Sequence, residues 1–242
     1  MPDTRIHRGP HPDDAMLFAP EMLPRLREAV ADFSMLLTKG YAGASALKLV
    51  GDRFSLTQRQ RLAVMRNSCS DQQLQRRLQH LVPVEALAGR PIAIDGYNLL
   101  ITTEAALSGG LIFRGRDGCF RDLASIHGTY RKVEETIPAV KLIGEFLMGI
   151  RVAQALWLLD SPVSNSGRLK TLIAQLAREN NWPWEIRLTI SPDAELRKMD
   201  TIVVSTDSVV LDACPQWTNL AAEIITQRLS FATIIGLAPN AS

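Results

Sequence analysis

Three apolar stretches of the chain each end at an aspartate. They are PIAID, ending at Asp95, ALWLLD, ending at Asp160, and IVVSTD, ending at Asp207. Each is typical of a short buried strand, and strand ends face the ligand-binding crevice in an open α/β sheet. An unpaired buried carboxylate is costly, so these acids need either a shared cation or salt bridges to arginines. Because Mg²⁺ prefers oxygen ligands and keeps several waters, we predict that these acids hold Mg²⁺, which would activate a water and bind a phosphodiester.

Other acids are candidates to complete this site. Asp212 lies five residues after the third strand acid. A helical turn there would bring it in as a fourth metal ligand, and the alternative is a surface or capping acid. Glu104 lies on the helix predicted after the first strand, where it would either point over the strand ends or lie on a solvated face. Asp117 and Asp122 lie in a long loop and compete with Glu104 for the same role.

Polar residues near the strand ends suit a substrate that carries phosphate. Ser164, Asn165 and Ser166 join a strand end to a predicted helix. The free N–H groups and the dipole of a helix start bind phosphate. Asn98 would help in the same way after the first strand. We therefore predict that these four residues bind substrate.

The stretch 108–130 holds five glycines and many charges, and it interrupts the regular alternation of elements. A loop this long inside a compact domain is usually functional or disordered, and its apolar residues favour an ordered, functional insertion. Its arginines suit bidentate contacts to a polyanion, although Asp117 and Asp122 are alternative internal partners. His127 is either a general acid or base or a structural residue. The predicted substrate-binding arginines are Arg114, Arg116 and Arg121.

The hydrophobic pattern divides the chain into two parts. Before residue 90 only helical spacing appears, which predicts a small all-helical domain at about 15–82. After residue 90, short strands alternate with helices, as in an α/β domain whose parallel sheet carries helices on both faces. This second domain is predicted to span 90–236. The predicted strands are 91–95, 154–159, 184–190, 201–205 and, less clearly, 231–236, and the predicted helices that follow are 98–107, 133–149, 166–179 and 218–229.

Composition limits the class of protein. The 242 residues are 46% hydrophobic, which is ample for a packed core. No apolar run reaches the roughly 18 residues that a membrane span needs, and the first residues lack the apolar segment of a secretory signal. The three cysteines are far apart, which is typical of reduced thiols. We expect a cytoplasmic protein without a membrane partner.

Positive charge is concentrated in one part of the predicted helical domain. Between Lys48 and Arg77 lie seven basic residues and two acids, whereas the net charge of the whole chain is only +2. Such asymmetry is a modest indication of a polyanionic partner, and a solvated helix face is the alternative.

Two short motifs resemble those of a known superfamily. IDGYN at 94–98 and STDSVVLD at 205–212 resemble the PIN-like nucleases, including their NYN branch. The resemblance implies that clustered acids use Mg²⁺ or Mn²⁺ to hydrolyse RNA, with Asp95 as the first acid, Asp207 as the late one and Asn98 as the polar residue after the first strand. Those nucleases usually carry a further acid on a mid-chain helix. The long arginine-rich loop departs from their pattern.

The whole chain also resembles a prokaryotic domain-of-unknown-function family, number 434. The similar segments are KGYAGASALKLVGDRFSLTQRQRLAVMR in the helical part, and FRGRDGCFRDLASIHGTYR and LLDSPVSNSGRLK in the α/β part. That family combines a small helical domain with a PIN-like one, and its name confers no activity.

These observations predict a metal-dependent ribonuclease whose helical domain grips the RNA backbone. One alternative is a non-catalytic RNA-binding or adaptor protein on a PIN-like scaffold. A less favoured alternative is a phosphohydrolase for small molecules. The sequence leaves the assembly of several copies open.

Overall fold

The structure is a computed structural model that describes residues 7–124 and 130–238. Its first part is helical, as predicted. Capping boxes at Thr57 and Ser70 start the fourth and fifth helices. His127 lies outside the described residues. The helices are α1 (Asp14–Leu17), α2 (Leu23–Thr38), α3 (Gly43–Arg53), α4 (Gln58–Asn67) and α5 (Asp71–His80).

The second part alternates strands and helices around a five-stranded sheet. All four strand pairings in this sheet are parallel, which confirms the predicted α/β class, and the strand order is β5-β4-β1-β6-β7. The elements in chain order are β1 (Pro91–Asp95), α6 (Gly96–Leu107), β2 (Ile112–Arg114), β3 (Phe120–Arg121), α7 (Thr136–Gly149), β4 (Gln154–Asp160), α8 (Ser166–Glu179), β5 (Trp184–Thr189), α9 (Pro192–Leu196), β6 (Ile202–Val204), α10 (Ser208–Leu211), β7 (Trp217–Thr218), α11 (Leu220–Arg228) and β8 (Ile234–Gly236).

Both faces of this sheet are covered. Successive side chains of a strand point to opposite faces. Ile92 and Ile94 therefore join the core formed with α6, α7, α8 and α11, whereas Ala93 packs on the other side with residues of α9 and α10. Coverage on both sides explains why β1 is an unbroken apolar run instead of an alternating one.

A second, three-stranded sheet corrects two predictions. β8 was expected to extend the parallel sheet, but it pairs with β2 in the order β3-β2-β8. The long stretch 108–130 was expected to be a loop, but it contains the antiparallel pair β2 and β3. Phe113, Ile235 and Leu237 from this region share one hydrophobic core with the helices of the first part. The helical unit is thus packed directly onto the second part of the chain.

The two edges of the parallel sheet differ. At the β7 edge, the Val82 N–H donates to the Trp217 carbonyl at 2.7 Å, and the Trp217 indole donates to the Arg77 carbonyl at 2.8 Å. At the other edge, β5 has no further strand beside it in the described part of the chain. Within the described residues, no helix combines the length and the apolar character needed to cross a membrane.

Candidate functional site

The turn from β1 into α6 fixes the position of Asp95. Asp95 ends the strand and is also the N-cap of the helix, where its Oδ1 accepts the Asn98 N–H at 3.4 Å. A Cβ on Gly96 would lie 2.6 Å from a Leu159 methyl and 2.8 Å from the Leu158 carbonyl oxygen. Only glycine allows the helix to start this close to β4, and the close start directs Asp95 to the carboxyl end of the sheet.

A serine hydroxyl joins Asp95 to the acid of the neighbouring strand. The Ser205 hydroxyl donates to Asp95 Oδ2 at 2.8 Å and accepts the Asp207 N–H at 3.0 Å. β1 and β6 are adjacent in the sheet, so the two strand ends meet here. The predicted proximity of Asp95 and Asp207 therefore follows from strand order.

Asn98 and Asp207 each use an oxygen to hold the local backbone. Asn98 Oδ1 accepts the N–H and the hydroxyl of Thr206 at 2.9 and 3.0 Å. Asp207 Oδ1 caps α10 by accepting the N–H groups of Val209 and Val210 at 2.8 and 3.3 Å. These bonds occupy the Asn98 carbonyl oxygen, but they leave the second carboxylate oxygen of Asp207 without a recorded hydrogen bond among the described residues.

A cavity of about 290 Å³ lies at these strand ends, and its wall contains a third acid, Asp193, which the sequence analysis missed. Asp193 follows β5 in the segment Ser191-Pro192-Asp193, so the same strand-end signal was present, displaced past a proline. Tyr97 also lines the cavity, and its buried hydroxyl has no hydrogen-bond partner in the described structure. The other polar lining residues are Arg66, Asp95, Asn98, Thr102, Arg121, Asp122, Thr206, Asp207 and Ser208.

The acids at the strand ends carry uncompensated charge. Burial, together with the nearby Asp193 and Asp207 and against the hydrogen bond from Ser205, raises the pKa of Asp95 to about 7. Partial burial and the charge of Asp207 raise the pKa of Asp193 against the opposing charge of Arg197. Burial and Asp193 raise the pKa of Asp160. Within the described residues none of the four acids forms an ion pair. Asp160 does not line the cavity, but it lies close enough to Asp193 for their charges to interact.

Two of the candidate acids belong instead to a buried ion-pair cluster at the junction with the helical unit. Asp117 accepts from Arg121 at 2.8 and 2.6 Å and from Arg77 at 2.6 Å. Asp212 accepts from Arg77 at 2.7 Å and from the Gln73 amide at 2.6 Å. Burial alone would raise the pKa of Asp117, but the two arginines outweigh it and hold that pKa below its usual range. Asp212, predicted as a metal ligand, is thus placed in this junction and outside the cavity.

Glu104 lies in a different buried cluster, so neither predicted position for it is correct. Its side chain is fully buried, accepts from the Thr136 hydroxyl at 2.6 Å and from the Tyr130 hydroxyl, and is ion-paired with Arg8. Burial raises the pKa of Glu104, and Arg8 opposes that rise. The Arg8 guanidinium also lies over the Tyr130 ring, 5.1 Å from its centroid. This cluster fixes the segment before α1 to α6 and α7.

Asp122 is the competing acid that does line the cavity. Its Oδ2 accepts the Thr102 hydroxyl at 2.7 Å, and its Oδ1 accepts the Ala124 N–H at 2.7 Å. The guanidinium of Arg66 lies 3.8 Å from this carboxylate and donates to the Asp122 carbonyl at 2.7 Å. Asp122 is therefore compensated by its own neighbours and holds the cavity wall together.

The predicted phosphate-binding groups are mostly used for local structure. The Asn165 amide donates to the Tyr130 carbonyl at 3.0 Å, the Ser164 carbonyl accepts the Tyr130 N–H, and the Ser166 hydroxyl donates to the Ser161 carbonyl. None of the three lines the cavity, and Asn165 makes no side-chain cap bond at the start of α8. The segment 164–166 therefore holds the main chain of Tyr130 in place.

The three predicted arginines have separate positions. Arg114 is exposed and does not line the cavity, and Arg116 is ion-paired with Asp71. Arg121 does line the cavity, but besides binding Asp117 it donates from Nε to the Thr206 carbonyl at 2.9 Å. Arg121 thus connects the ion-pair cluster to the segment that carries Asp207.

Each of the seven basic side chains between residues 48 and 77 has an anionic or carbonyl partner within the chain. Some of these pairs lie on the surface, with the Lys48 and Arg53 side chains 77% and 70% exposed, so the expected contact with an RNA backbone stays a prediction. The partners are Asp52 for Lys48 and Arg61, Asp32 for Arg53, Asp14 for Arg59, Asp122 for Arg66, the Asp212 main chain for Arg76, and Asp117 and Asp212 for Arg77.

The donor chemistry of the cavity fits a hard divalent cation, although the geometry is not that of a preassembled cage. Among residues 7–124 and 130–238, no group of three or more His, Cys, Asp or Glu side chains is arranged to hold a metal ion. Asp95 and Asp207 nevertheless offer carboxylate oxygens, and Ser205 links the Asp95 carboxylate to the Asp207 main-chain N–H. The charge of Asp207 raises the pKa of Asp95, and a cation would relieve that repulsion. Two carboxylates and water are sufficient for Mg²⁺.

Comparisons with known proteins place the chain among families without an assigned activity. A family described as Domain of unknown function (DUF5616) matches residues 84–223, and one described as Protein of unknown function (DUF434) matches residues 25–80. The expected family is therefore confirmed for the helical part, whereas the α/β part matches a different one. A relative, Uncharacterized protein MJ0935 of Methanocaldococcus jannaschii, is 29% identical over 186 residues, which cover 77% of this chain and 88% of the relative. No solved structure matches. Since the first match spans more than half of the sequence, the chain belongs to the DUF5616 family.

Proposed function

We propose that this member of the DUF5616 family is a PIN-like, divalent-cation-dependent ribonuclease that works at the cavity beside Asp95. The observation that carries the proposal is the contrast between this cavity and its surroundings. Asp95, Asp193 and Asp207 share one cavity and have no ion-pair partner among the described residues, whereas nearby Asp117, Asp122 and Asp212 are all paired. Of these three acids Asp95 is buried, and a buried charge that a fold leaves without an ion-pair partner is a candidate for function.

Asp95 and Asp207 would hold Mg²⁺ or Mn²⁺, and Asp193 at the rim would add negative charge that strengthens cation binding. A bound cation would polarise a phosphoryl oxygen of the substrate and lower the pKa of a water molecule. Ser205 ties the Asp95 carboxylate to the main chain of Asp207, through its bonds to Asp95 Oδ2 and to the Asp207 N–H. Asp160 is outside the cavity and would act only through its charge.

Arg66 and Tyr97 would contact the substrate. Arg66 lines the cavity, and its side chain is 31% exposed. Its hydrogen bonds to described residues all come from Nη1, so among these residues Nε and Nη2 remain for a phosphate oxygen. Tyr97 adds a buried hydroxyl that has no partner in the described structure. Arg66 belongs to α4, so the helical unit contributes one wall of the cavity and does not need a separate RNA-binding face.

RNA as the substrate rests on the PIN-like motif at 94–98 and on the phosphate-binding character of the cavity wall. The basic stretch of the helical unit supports it only through Arg66, because the other basic side chains of that stretch have partners within the chain. The absence of a three-ligand group in the described part of the chain favours the second candidate, an RNA-binding adaptor without catalysis. The two functions make different predictions for a cleavage assay.

The test is cleavage of structured and single-stranded RNA with Mg²⁺, with Mn²⁺ and with a chelator. Asp95→Asn and Asp207→Asn should abolish cleavage. Asp200→Asn is the matched control, because Asp200 is an exposed aspartate that precedes β6 at the opposite end of the sheet. Cleavage that survives Asp95→Asn would contradict the proposed site. RNA binding by the wild type without cleavage would favour the adaptor, and hydrolysis of a small phosphate ester but not of RNA would point to a phosphohydrolase.

A further inference from the structure

The open edge of the parallel sheet carries main-chain groups that have no hydrogen-bond partner among the described residues. The Pro183 and Thr189 carbonyls accept from Ala155 and Ser161 of the β4 side at 3.1 and 2.7 Å. The N–H and C=O groups of successive residues in a strand point to opposite sides. Glu185 and Arg187 therefore direct these groups toward β4, and the alternate residues direct theirs away from the sheet.

The outward groups are those of Trp184, Ile186 and Leu188. The Trp184 N–H is already used, since it donates to the Trp182 carbonyl at 2.8 Å. For Ile186 and Leu188, the described residues provide no main-chain partner on this side of β5. The edge therefore offers a row of donors and acceptors of the kind that adds another strand.

The side chains of β5 indicate which strand can pair with it. We propose that β5 pairs antiparallel with β5 of a second copy of this chain, about a twofold axis at Ile186, which joins two sheets into one. In this register Ile186 lies opposite itself at a hydrogen-bonded position. Glu185 of each copy lies opposite Arg187 of the other, at the non-hydrogen-bonded positions where Cα atoms are about 4.5 Å apart and side chains are closest.

The charges also exclude neighbouring registers. A shift of the axis to residue 185 would place Glu185 opposite itself, and a shift to residue 187 would place Arg187 opposite itself. Like charges directly opposite one another are destabilising in antiparallel pairs. Within one copy the two side chains are exposed on the same face. Arg187 donates to Glu185 at 3.1 Å and lies 3.8 Å from Glu195, and such surface ion pairs are weak enough for a facing strand to replace.

Other features of the edge agree with a second copy as the occupant. β5 contains no proline and no lysine, which are common means of blocking an exposed edge strand. Ile190, directly after the strand, is 81% exposed, and Trp184 and Leu188 are only partly buried. The opposite edge of the sheet is covered by residues 81–82 of the same chain, so β5 is the edge left for pairing. The proposal is independent of the proposed nuclease activity.

The test is sedimentation equilibrium of the full-length protein over a wide range of concentration, with charge reversals on β5. The wild type should reach twice the chain mass of 26.7 kDa. Glu185→Arg and Arg187→Glu should each weaken the dimer about tenfold, because two attractive cross-strand pairs become repulsive. An equimolar mixture of the two variants should form a heterodimer as tight as the wild-type dimer, since every facing pair is then of opposite charge.

Lys170→Glu, on the exposed surface of α8, is the matched control for a change of charge and should leave the dimer unchanged. Thermal unfolding of each variant shows that it is folded, which is expected because both β5 positions are exposed. A wild-type protein that stays monomeric at all concentrations would overturn the proposal. So would single variants that dimerise as well as the wild type, or a mixture no tighter than its components.

Discussion

Asp95 and Asp117 are equally buried, each with 7% of its surface exposed, but their pKa values move in opposite directions. Burial and two neighbouring acids raise the pKa of Asp95 to about 7. At Asp117, burial is outweighed by Arg121 and Arg77, which hold the pKa below its usual range. The difference lies in the partners and not in the depth of burial.

The two aspartates therefore have different relations to stability. Asp117 joins the α/β part to α5 through Arg77, so its charge is part of what holds the fold together. Asp95 is held beside other acids by the rigid turn into α6, so its charge opposes the fold when no cation is present. The predictions below test this difference, beginning with the largest expected effect.

Asp117→Asn should destabilise the protein by about 3–5 kcal/mol, because removing one partner of a buried ion pair leaves the others uncompensated. Two arginines would lose their shared carboxylate. Urea unfolding followed by tryptophan fluorescence measures the change. Asp200→Asn, on the surface, should stay within about 0.5 kcal/mol of the wild type. A loss below about 1 kcal/mol at residue 117 would mean that the cluster is not what joins the two parts.

Asp95→Asn should stabilise the protein at mildly alkaline pH in the presence of a chelator, whereas Asp117→Asn destabilises it. Because the pKa of Asp95 is higher in the folded protein than in the unfolded chain, the folded state is favoured while the group is protonated, and this advantage is lost as the pH rises through about 7. Since each pKa unit corresponds to about 1.4 kcal/mol, a rise from 3.8 to about 7 sets an upper limit of about 4 kcal/mol.

The measurement is urea unfolding of the wild type and the Asn variant across this pH range. The two proteins should converge below about pH 4, where the wild-type carboxyl is protonated in both states. Equal stability at all pH values, or a variant less stable than the wild type above pH 7, would show that the charge of Asp95 is compensated by something else in the fold.

Tyr97→Phe should change the stability less than Asp95→Asn does, and in the same direction. Removal of a buried hydroxyl without a partner should leave stability unchanged or raise it by about 1 kcal/mol. The same change should weaken RNA binding about tenfold, equivalent to about 1.4 kcal/mol, if the hydroxyl contacts the substrate. Thermal unfolding and an RNA titration separate the two effects. A marked loss of stability would indicate an internal role for the hydroxyl.

The sequence predicted most of the longer helices and strands, because each is specified by a pattern of residues close together in the chain. The helix Ser166–Glu179 and the strand Pro91–Asp95 were predicted with their observed bounds, since each has a clear apolar period and a clear end. β2, β3 and β7 were missed because two or three residues carry no detectable period. Their existence depends on neighbours that are distant in the sequence.

The site was predicted only in part, for a similar reason. The pattern of strand ends predicted that the acids converge, and Asp95 and Asp207 meet because β1 and β6 are adjacent, an order that the sequence did not predict. Asp193 carried the same signal, but a proline and a turn separate it from its strand. The pairing of Glu104 with Arg8 spans 96 positions along the chain, so no local pattern shows it. The basic stretch looked unpaired because acids such as Asp117 and Asp212 are supplied from elsewhere.

The central claim is that the strand-end carboxylates are unpaired because they hold a cation. Titration with Mn²⁺ at mildly alkaline pH, with free Mn²⁺ followed by electron paramagnetic resonance, tests it without relying on catalysis. The wild type and Asp200→Asn should bind Mn²⁺ with the same affinity, and Asp95→Asn and Asp207→Asn should lose that binding. A wild type that binds no Mn²⁺, or an Asp95→Asn variant that binds it as tightly as the wild type, would contradict the account.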